Sequence, residues 1–310
     1  MSKLPDNKLL LLTNIPGSHD AAAYNMHFFG SVFAKCQDLN IMEQLKAGTR
    51  LLDIRIAKRS RPWLSCRLNQ LFLDDNDLIC VHGICDCYHI NKEGVKINLT
   101  YKDVLMDMRK FLEENPSETI VLTIEPWRGD FYTILERAME IYDNIVGDIS
   151  IKFDKNLTIG DARGKIIQVD YQTGELNSEG KPIYHGGFDG GTNIGEIHNK
   201  FVPKGNFAAF QADGRLKVEE IKEFLRIHDI TIEEAEEDWK TINNNKYPIK
   251  YSISCTGEHK TILPFPKAQA NIVKPFILNY NLKKGNYYGF LYMDFVDKYI
   301  AKKLIDTNFK

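Results

Sequence analysis

The chain has 310 residues, of which 43% are hydrophobic, and a formal net charge of −2 at pH 7. This size and apolar content suffice for one large core, and we expect a single domain over residues 1–310. The near-neutral charge gives no bulk attraction to polyanions, so no nucleic-acid partner is expected.

The N-terminal region contains only a four-residue apolar run, Leu9 to Leu12. Such a run is too short for a signal peptide or a membrane span, and nothing later reaches the roughly 18 apolar residues that a span needs. We therefore expect a soluble, monomeric, cytoplasmic protein whose contact with lipid is peripheral. Export by a route that needs no signal peptide stays open.

Three of the six cysteines cluster as Cys80, Cys85 and Cys87, with His82 and His89 between and after them. The residue types would suit zinc, but the usual C-x2-C pairing is absent. We favour packing of small apolar side chains at a strand end, in a reducing compartment.

Strand and helix patterns alternate along most of the chain. Apolar runs predict strands over 50–56, 77–81, 119–124, 166–169, 247–254 and 288–295. Helical spacing predicts helices over 100–114, 131–146, 231–239 and 296–306, with a further helix from 219. The alternation favours a mainly parallel α/β sheet. The pattern alone leaves a closed barrel and an open doubly wound sheet as alternatives.

The first candidate functional residue is His19, in the segment IPGSHD over 15–20. We expect a strand in the apolar run before this segment, a turn loosened by Pro16 and Gly17, and a helix starting at the three alanines that follow. A histidine in such a turn would lie at the carboxyl edge of the sheet, where barrel enzymes build their sites.

Polar side chains also follow or interrupt four later strands. Asp53 and Arg55 are two residues apart in a predicted strand, so their side chains share one face. Two opposite charges in a buried strand must pair with each other or bind something, so an ion pair and a binding site are the two interpretations. His82, Glu125 and Asp294 each come at the end of a further apolar run. A barrel would bring these groups to one mouth.

The segments around these residues occur in a recognisable order. They are IPGSHD (15–20), GTRLLDIRI (48–56), VHG (81–83), SETIVLTIE (117–125), GDARGKII (160–167) and YMDFV (292–296). Together they resemble the X-domain of phosphatidylinositol-specific phospholipase C, especially the bacterial and trypanosome-like single-domain enzymes. The resemblance covers nearly the whole chain, with gaps at about 58–78 and 172–245. It implies a distorted TIM (β/α)8-type barrel.

The resemblance also implies cleavage of phosphatidylinositol, or of its glycosylated form, at a membrane surface. The inositol 2-hydroxyl would attack phosphorus, giving diacylglycerol and inositol 1,2-cyclic phosphate. His19 would be the general base and His82 the general acid. Asp294 would orient His19, Asp20 would orient His82, and Arg55 would bind the phosphate. These residue types suit acid–base chemistry near neutrality and phosphate binding.

The same resemblance bears on metal use. Animal members hold calcium with carboxylates, whereas bacterial members have an arginine in the metal's place. Arg55 occupies that position, so we expect catalysis without a cofactor, with Asp53 among the catalytic residues. Glu125 stands where calcium-dependent members carry a ligand, so a calcium site of Asp20, Asp53 and Glu125 is the alternative. Without calcium, Glu125 would contact inositol hydroxyls or pair with Arg55, and Asp213 aligns with a sugar-binding acid.

Several apolar side chains are candidates for lipid contact at the barrel rim. They are Phe28, Phe29, Trp63, Leu64, Leu71, Phe72 and Trp127. Two other functions stay open. One is a glycerophosphodiester phosphodiesterase, although that family uses a metal and an H-R-G element that this chain lacks. The other is an inositol-lipid binding module without catalysis.

Overall fold

The structure is a computed structural model that describes residues 1–27, 30–58, 77–153, 156–168, 172–176, 182–184, 214–227, 229–241, 252–254 and 265–310. The predicted substrate-binding residue Asp213 lies outside these ranges. So do all the rim candidates except Trp127, namely Phe28, Phe29, Trp63, Leu64, Leu71 and Phe72.

A nine-stranded sheet forms the centre of the molecule. Its parallel strands lie in the order β12 (Ser252–Ser254), β13 (Phe290–Met293), β1 (Ile15–Ser18), β2 (Leu51–Lys58), β7 (Ile120–Pro126), β9 (Ile166–Gln168) and β8 (Ser150–Lys152). β3 (Leu78–His82) pairs antiparallel with β2, and β4 (Cys85–Asp86) pairs antiparallel with β3. Two hairpins lie apart, formed by β5 (Tyr88–Ile90) with β6 (Lys96–Asn98) and by β10 (Gln172–Leu176) with β11 (Pro182–Tyr184).

The α-helices alternate with these strands. They are α1 (Gly30–Phe33), α2 (Ile41–Ala47), α3 (Tyr101–Glu114), α4 (Phe131–Val146), α5 (Ile159–Ala162), α6 (Gly214–Ile227), α7 (Ile232–Thr241), α8 (Pro266–Asn279) and α9 (Lys298–Asp306). Side-chain caps fix where several begin: Thr100 and Asp103 form a capping box on α3, and Asp130 caps α4. No described helix combines the length and hydropathy that crossing a membrane requires.

Both faces of the sheet are buried. Leu52 and Leu122 pack into one apolar cluster with α3 and α4, while their neighbours Leu51 and Val121 pack into a second cluster. This explains why the strand sequences are apolar in successive positions rather than in alternate ones. β1 sits between β13 and β2, so the two ends of the chain share one sheet.

The first strand differs from the prediction. The run Leu10–Leu12 forms a buried 3-10 turn, and the strand is Ile15–Ser18, which includes the glycine expected to loosen a turn. Gly17 is needed because a Cβ there would lie 2.9 Å from Leu51 Cδ2 and 3.2 Å from the carbonyl oxygen of Leu291. The glycine therefore serves close strand packing.

The prediction of a helix that starts at the three alanines, Ala21 to Ala23, is also wrong. Residues 19–24 form successive turns, and Asp20 has a left-handed φ of 44° that interrupts any helix there. The N–H of Ala21 instead donates to the carbonyl oxygen of Asp53, at 2.8 Å. This bond ties the loop after β1 to β2.

The prediction of a mainly parallel sheet is confirmed, but β3 is an exception. β2 continues to Lys58, and β3 returns antiparallel along this extension, with Ile56 opposite Cys80. His82 thereby reaches the carboxyl edge of the sheet from the opposite direction to the neighbouring strands. Cys80 and Cys87 are fully buried, as the packing interpretation predicts, and no candidate ligand cluster within the described ranges includes either of them.

Candidate active site

The loop after β1 carries His19, and the loop after the adjacent strand β13 carries Asp294. The N–H of His19 donates to the carbonyl oxygen of Met293 at 3.1 Å, which continues the pairing of the two strands. Nδ1 of His19 lies 2.9 Å from Oδ1 of Asp294, so Nδ1–H donates to a buried carboxylate. This bond leaves Nε2 of His19 beside Asp20 and Arg55, 3.4 Å from Oδ2 and 3.1 Å from Nη2.

A buried glutamine holds this pair in place. Nε2 of Gln37 donates to the carbonyl oxygens of His19, at 2.7 Å, and Met293, at 3.0 Å. Oε1 of Gln37 accepts from the N–H of Val296 at 3.0 Å. No sequence pattern points to this residue, since its partners are backbone groups of distant segments.

Asp20 lies at the centre of the site and is almost fully buried. Its Oδ2 is 3.4 Å from Nε2 of His19 and 3.3 Å from Nε2 of His82, and its Oδ1 is 2.7 Å from Nε of Arg55. The expected link between Asp20 and His82 is therefore present. The carboxylate also bridges both imidazoles and the guanidinium, which sequence spacing did not indicate.

His82 approaches from the end of β3. Its Nδ1 lies 2.6 Å from the carbonyl oxygen of Ala34, which can only accept, so Nδ1 carries a hydrogen. Nε2 is then the atom that faces Asp20 and the mouth. This orientation gives His82 a nitrogen that can exchange a proton with a bound molecule.

Arg55 lies between two carboxylates and beneath an indole ring. Its Nε is 3.1 Å from Oε2 of Glu125 as well as near Asp20, and its Nη2 is 3.1 Å from Nε2 of His19. The angles at the two contacts between Arg55 Nε and the carboxylates do not suit hydrogen bonds, so these contacts are ion pairs. Trp127, expected as a lipid-contact residue, places its ring 4.8 Å from the guanidinium carbon.

Asp53 supports the loop of Asp20. Its Oδ2 accepts weakly from the N–H of Asp20 at 3.4 Å, and its Oδ1 accepts from the hydroxyl of Thr123 at 3.3 Å. Burial raises the pKa of Asp53 to about 6, although Arg55 acts against that change. Asp53 thus holds the backbone of the loop that carries Asp20 and lies near His19.

The remaining charges shape the proton affinity of the site. Burial lowers the pKa of His19, but the carboxylates of Asp20 and Asp294 outweigh it and raise this pKa to about 9. Burial raises the pKa of Asp20, yet Arg55, His82 and His19 together bring it below its ordinary value. For Asp294, burial prevails over His19, and its pKa is raised.

A guanidinium lies among Asp20, Asp53 and Glu125, the carboxylates of the alternative calcium site. Calcium takes six to eight oxygen ligands, but the guanidinium of Arg55 lies between Asp20 and Glu125 and would repel a divalent ion. Within the described ranges, the groups close enough to share an ion do not include Glu125. Of the two roles expected for Glu125 without calcium, the structure contains the ion pair with Arg55.

Fold and site together define an α/β protein, built on a mainly parallel sheet, with an acid–base site suited to an anionic ester. Two imidazoles, His19 and His82, stand on either side of a carboxylate, and a buried guanidinium lies beside them. Such a set can remove one proton, supply another and attract a negative charge between them.

The chain is similar in sequence and in fold to proteins named as phosphatidylinositol phosphodiesterases or phosphatidylinositol-specific phospholipases C. The chain is 25% identical over 319 residues to the 1-phosphatidylinositol phosphodiesterase of Listeria monocytogenes, covering 99% of this chain and 84% of that protein. It is 32% identical over 126 residues to the Staphylococcus aureus protein of the same name, covering 40% of this chain and 33% of the relative. No protein-family model matches the chain.

Solved structures agree on the fold. A phosphatidylinositol-specific phospholipase C from S. aureus, studied for modulation of its membrane binding, matches with a TM-score of 0.65 and 20% identity over 99% of this chain and 96% of its own. The enzyme from L. monocytogenes matches with a TM-score of 0.62 and 23% identity over 99% and 97%. The predicted resemblance to this family and the TIM-barrel-like fold are confirmed.

Proposed function

We propose that this chain cleaves phosphatidylinositol, or a glycosylated form of it, to diacylglycerol and inositol 1,2-cyclic phosphate. The observation that carries the proposal is the arrangement of His19, His82 and Arg55 around one buried carboxylate. The similarity to 1-phosphatidylinositol phosphodiesterase over 99% of the chain supports the choice of substrate.

In the proposed reaction, Nε2 of His19 takes the proton of the inositol 2-hydroxyl, and the resulting oxygen attacks phosphorus. The bond from phosphorus to the glycerol oxygen breaks, and this oxygen receives a proton from Nε2 of His82. Asp294 holds the ring of His19, since it accepts from Nδ1 at 2.9 Å. Arg55 stabilises the charge that develops on the phosphoryl oxygens.

We further propose that the reaction needs no divalent metal. The guanidinium of Arg55 supplies a fixed positive charge in the space that a cation would share with Asp20 and Glu125. An arginine side chain keeps its charge throughout the range in which the histidines titrate. The chain would then supply from its own side chain the positive charge that a metal ion provides in other enzymes.

The lipid would be reached from an apolar rim. Ile84 is 71% exposed and lies two residues beyond His82, while Val32 on α1 is 59% exposed. α1 adjoins the same hairpin, because a Cβ on Gly30 would lie 3.0 Å from Sγ of Cys85. Trp127 is 42% exposed, with its ring 6.5 Å from that of His82. We propose that these side chains enter the membrane surface when the site engages a headgroup.

The test is turnover of phosphatidylinositol vesicles by purified protein in the presence of EDTA. We expect release of diacylglycerol together with inositol 1,2-cyclic phosphate, and none from a His82→Ala control. Turnover that appears only when calcium replaces EDTA would contradict the role given to Arg55. No turnover under either condition would reject the phosphodiesterase, and vesicle binding without turnover would favour a binding module.

A further inference from the structure

His82 stands on a strand that leaves the central ladder before it reaches the site. The pairing of β3 with β2 ends at Cys80, which lies opposite Ile56, so His82 is two residues beyond the last pair. The residues after Cys80 pair instead with β4, a two-residue strand across a tight turn. Because a two-stranded hairpin is only marginally stable by itself, the β3–β4 hairpin needs support from another part of the fold.

An ion pair supplies this support. Arg128, in the loop after β7, donates from Nη2 to Oδ1 of Asp86 on β4. The side chain of Asp86 is 9% exposed and that of Arg128 is 24% exposed, so solvent screens their attraction less than it would at the surface. The two residues are 42 positions apart in the chain, and they join the hairpin of His82 to the end of β7.

The loop of Arg128 is also fixed to the phosphate-binding side of the site. The N–H of its neighbour Trp127 donates to the carbonyl oxygen of Ile56 at 2.8 Å. The ring of Trp127 lies 4.8 Å from the guanidinium carbon of Arg55 and meets the ring of His82 edge to face at 6.5 Å. The ion pair therefore connects the hairpin that carries one imidazole with the loop that contacts the guanidinium.

We propose that the ion pair of Asp86 with Arg128 positions His82 for proton transfer to the leaving oxygen, because it holds the β3–β4 hairpin at a fixed distance from Arg55. The inference rests on the proposed function, in which His82 is the general acid. Asp86 and Arg128 are positioning residues that act through His82. A general acid must come within about 2.6–3.2 Å of its oxygen, so a displacement of about 1 Å would lower the rate.

The ion pair and the bond to Ala34 fix different parts of His82. The carbonyl oxygen of Ala34 accepts from Nδ1 at 2.6 Å and so sets the direction of the ring. Asp86 fixes the backbone of the hairpin, since its carbonyl oxygen also accepts from the N–H of His27 at 3.2 Å. Without the ion pair, the ring should move with the hairpin and weaken its bond to Ala34. That bond reports the position of His82 without any need for turnover.

The leaving group separates a positioning role from a merely structural one. Two water-soluble inositol phosphodiesters would be compared, one that releases an alkyl alcohol and one that releases nitrophenolate, which leaves without a proton. Asp86→Asn and Arg128→Met should each lower kcat for the alkyl ester about tenfold, with KM unchanged, and hardly affect the nitrophenyl ester. The double variant should lose no more than either single variant, because one change already breaks the pair.

Two further variants control this comparison. Arg128→Lys keeps the positive charge and should recover most of the lost rate. Arg109→Met breaks another ion pair, in which Arg109 on α3 contacts Asp148 at 2.7 and 2.8 Å, and should leave kcat for both esters unchanged. Equal losses on the two esters would overturn the positioning role. A raised KM in Arg128→Met with no effect of Asp86→Asn would also overturn it, since Arg128 would then bind substrate.

Proton NMR of the Nδ1–H of His82 gives a second measurement. Its exchange with water should be at least about tenfold faster in the double variant than in the wild type or Arg109→Met, and unchanged exchange would overturn the proposal. If a single variant fails to fold because one buried charge has lost its partner, the double variant, which removes both charges, serves for both measurements. Faster exchange in a protein that cleaves neither ester would reject the proposed function and leave the support of His82 by the ion pair standing.

Discussion

His19 is mostly protonated at neutral pH, which is unusual for a general base. With its pKa at about 9, only about one molecule in a hundred carries the neutral ring at pH 7. Because only the neutral ring can take a proton, kcat/KM should rise about tenfold per pH unit up to about pH 9. Asp294→Asn should move this rise to lower pH, as one of the two carboxylates that raise the pKa is removed. Kinetics on a water-soluble substrate analogue test this, and an unmoved midpoint would contradict it.

The two histidines should both be needed. His19→Ala and His82→Ala should each lower kcat by at least about a hundredfold, the usual scale for loss of a positioned acid or base. His89→Ala is the matched control, because this partly exposed histidine lies 3.8 Å from Asp103, away from the site. Full activity of either site variant would remove that residue from the mechanism.

Asp53 should lower stability at neutral pH. Its folded pKa, about 6, exceeds the ordinary value of 3.8, so its contribution to stability is full below pH 3.8 and is lost as the pH rises through about 6. Asp53→Asn should therefore stabilise the protein by about 3 kcal/mol at pH 8 and by little near pH 4. Urea unfolding at the two pH values measures this. An equal effect at both would show that ionisation of Asp53 is not the cause.

At the scale of elements, the site depends on how closely β1 packs. Gly17→Ala should destabilise the protein by about 1–3 kcal/mol, because the new Cβ would lie 2.9 Å from Leu51 Cδ2 and 3.2 Å from backbone oxygen. Gly147→Ala is the control, since its φ is ordinary and its nearest neighbour atom would be 3.8 Å away. Thermal unfolding of the two variants compares them, and equal melting temperatures would contradict the packing argument.

The antiparallel return of β3 is the second decisive element. It carries His82 back along the extension of β2 to within 3.3 Å of Asp20, whose own loop follows β1. Three strands that are separate in sequence thus contribute the central groups. The apolar run before His82 predicted a strand, but an apolar run carries no information about strand direction.

At the scale of the molecule, the mouth and the apolar rim lie on one side. Val32→Ser with Ile84→Ser should reduce turnover of lipid vesicles more than turnover of a water-soluble analogue, because apolar area that would enter the membrane is lost. Met106→Ser is the matched control, as this 53% exposed side chain lies on α3. Equal loss on both substrates would place the effect in the site instead of at the membrane.

The sequence by itself determined the parallel α/β architecture, the bounds of α3 and α4, and the polar residues at the strand ends, because periodicity and caps are local signals. Only the tertiary structure decided that Asp20 bridges both histidines and Arg55, that Gln37 fixes the loops of His19 and Asp294, and that Cys36 lies behind His82. These contacts join segments far apart in the chain, and their distances depend on strand direction and on close packing at Gly17. No local pattern encodes them, so the residues of the candidate site could be predicted as a group while the contacts between them could not.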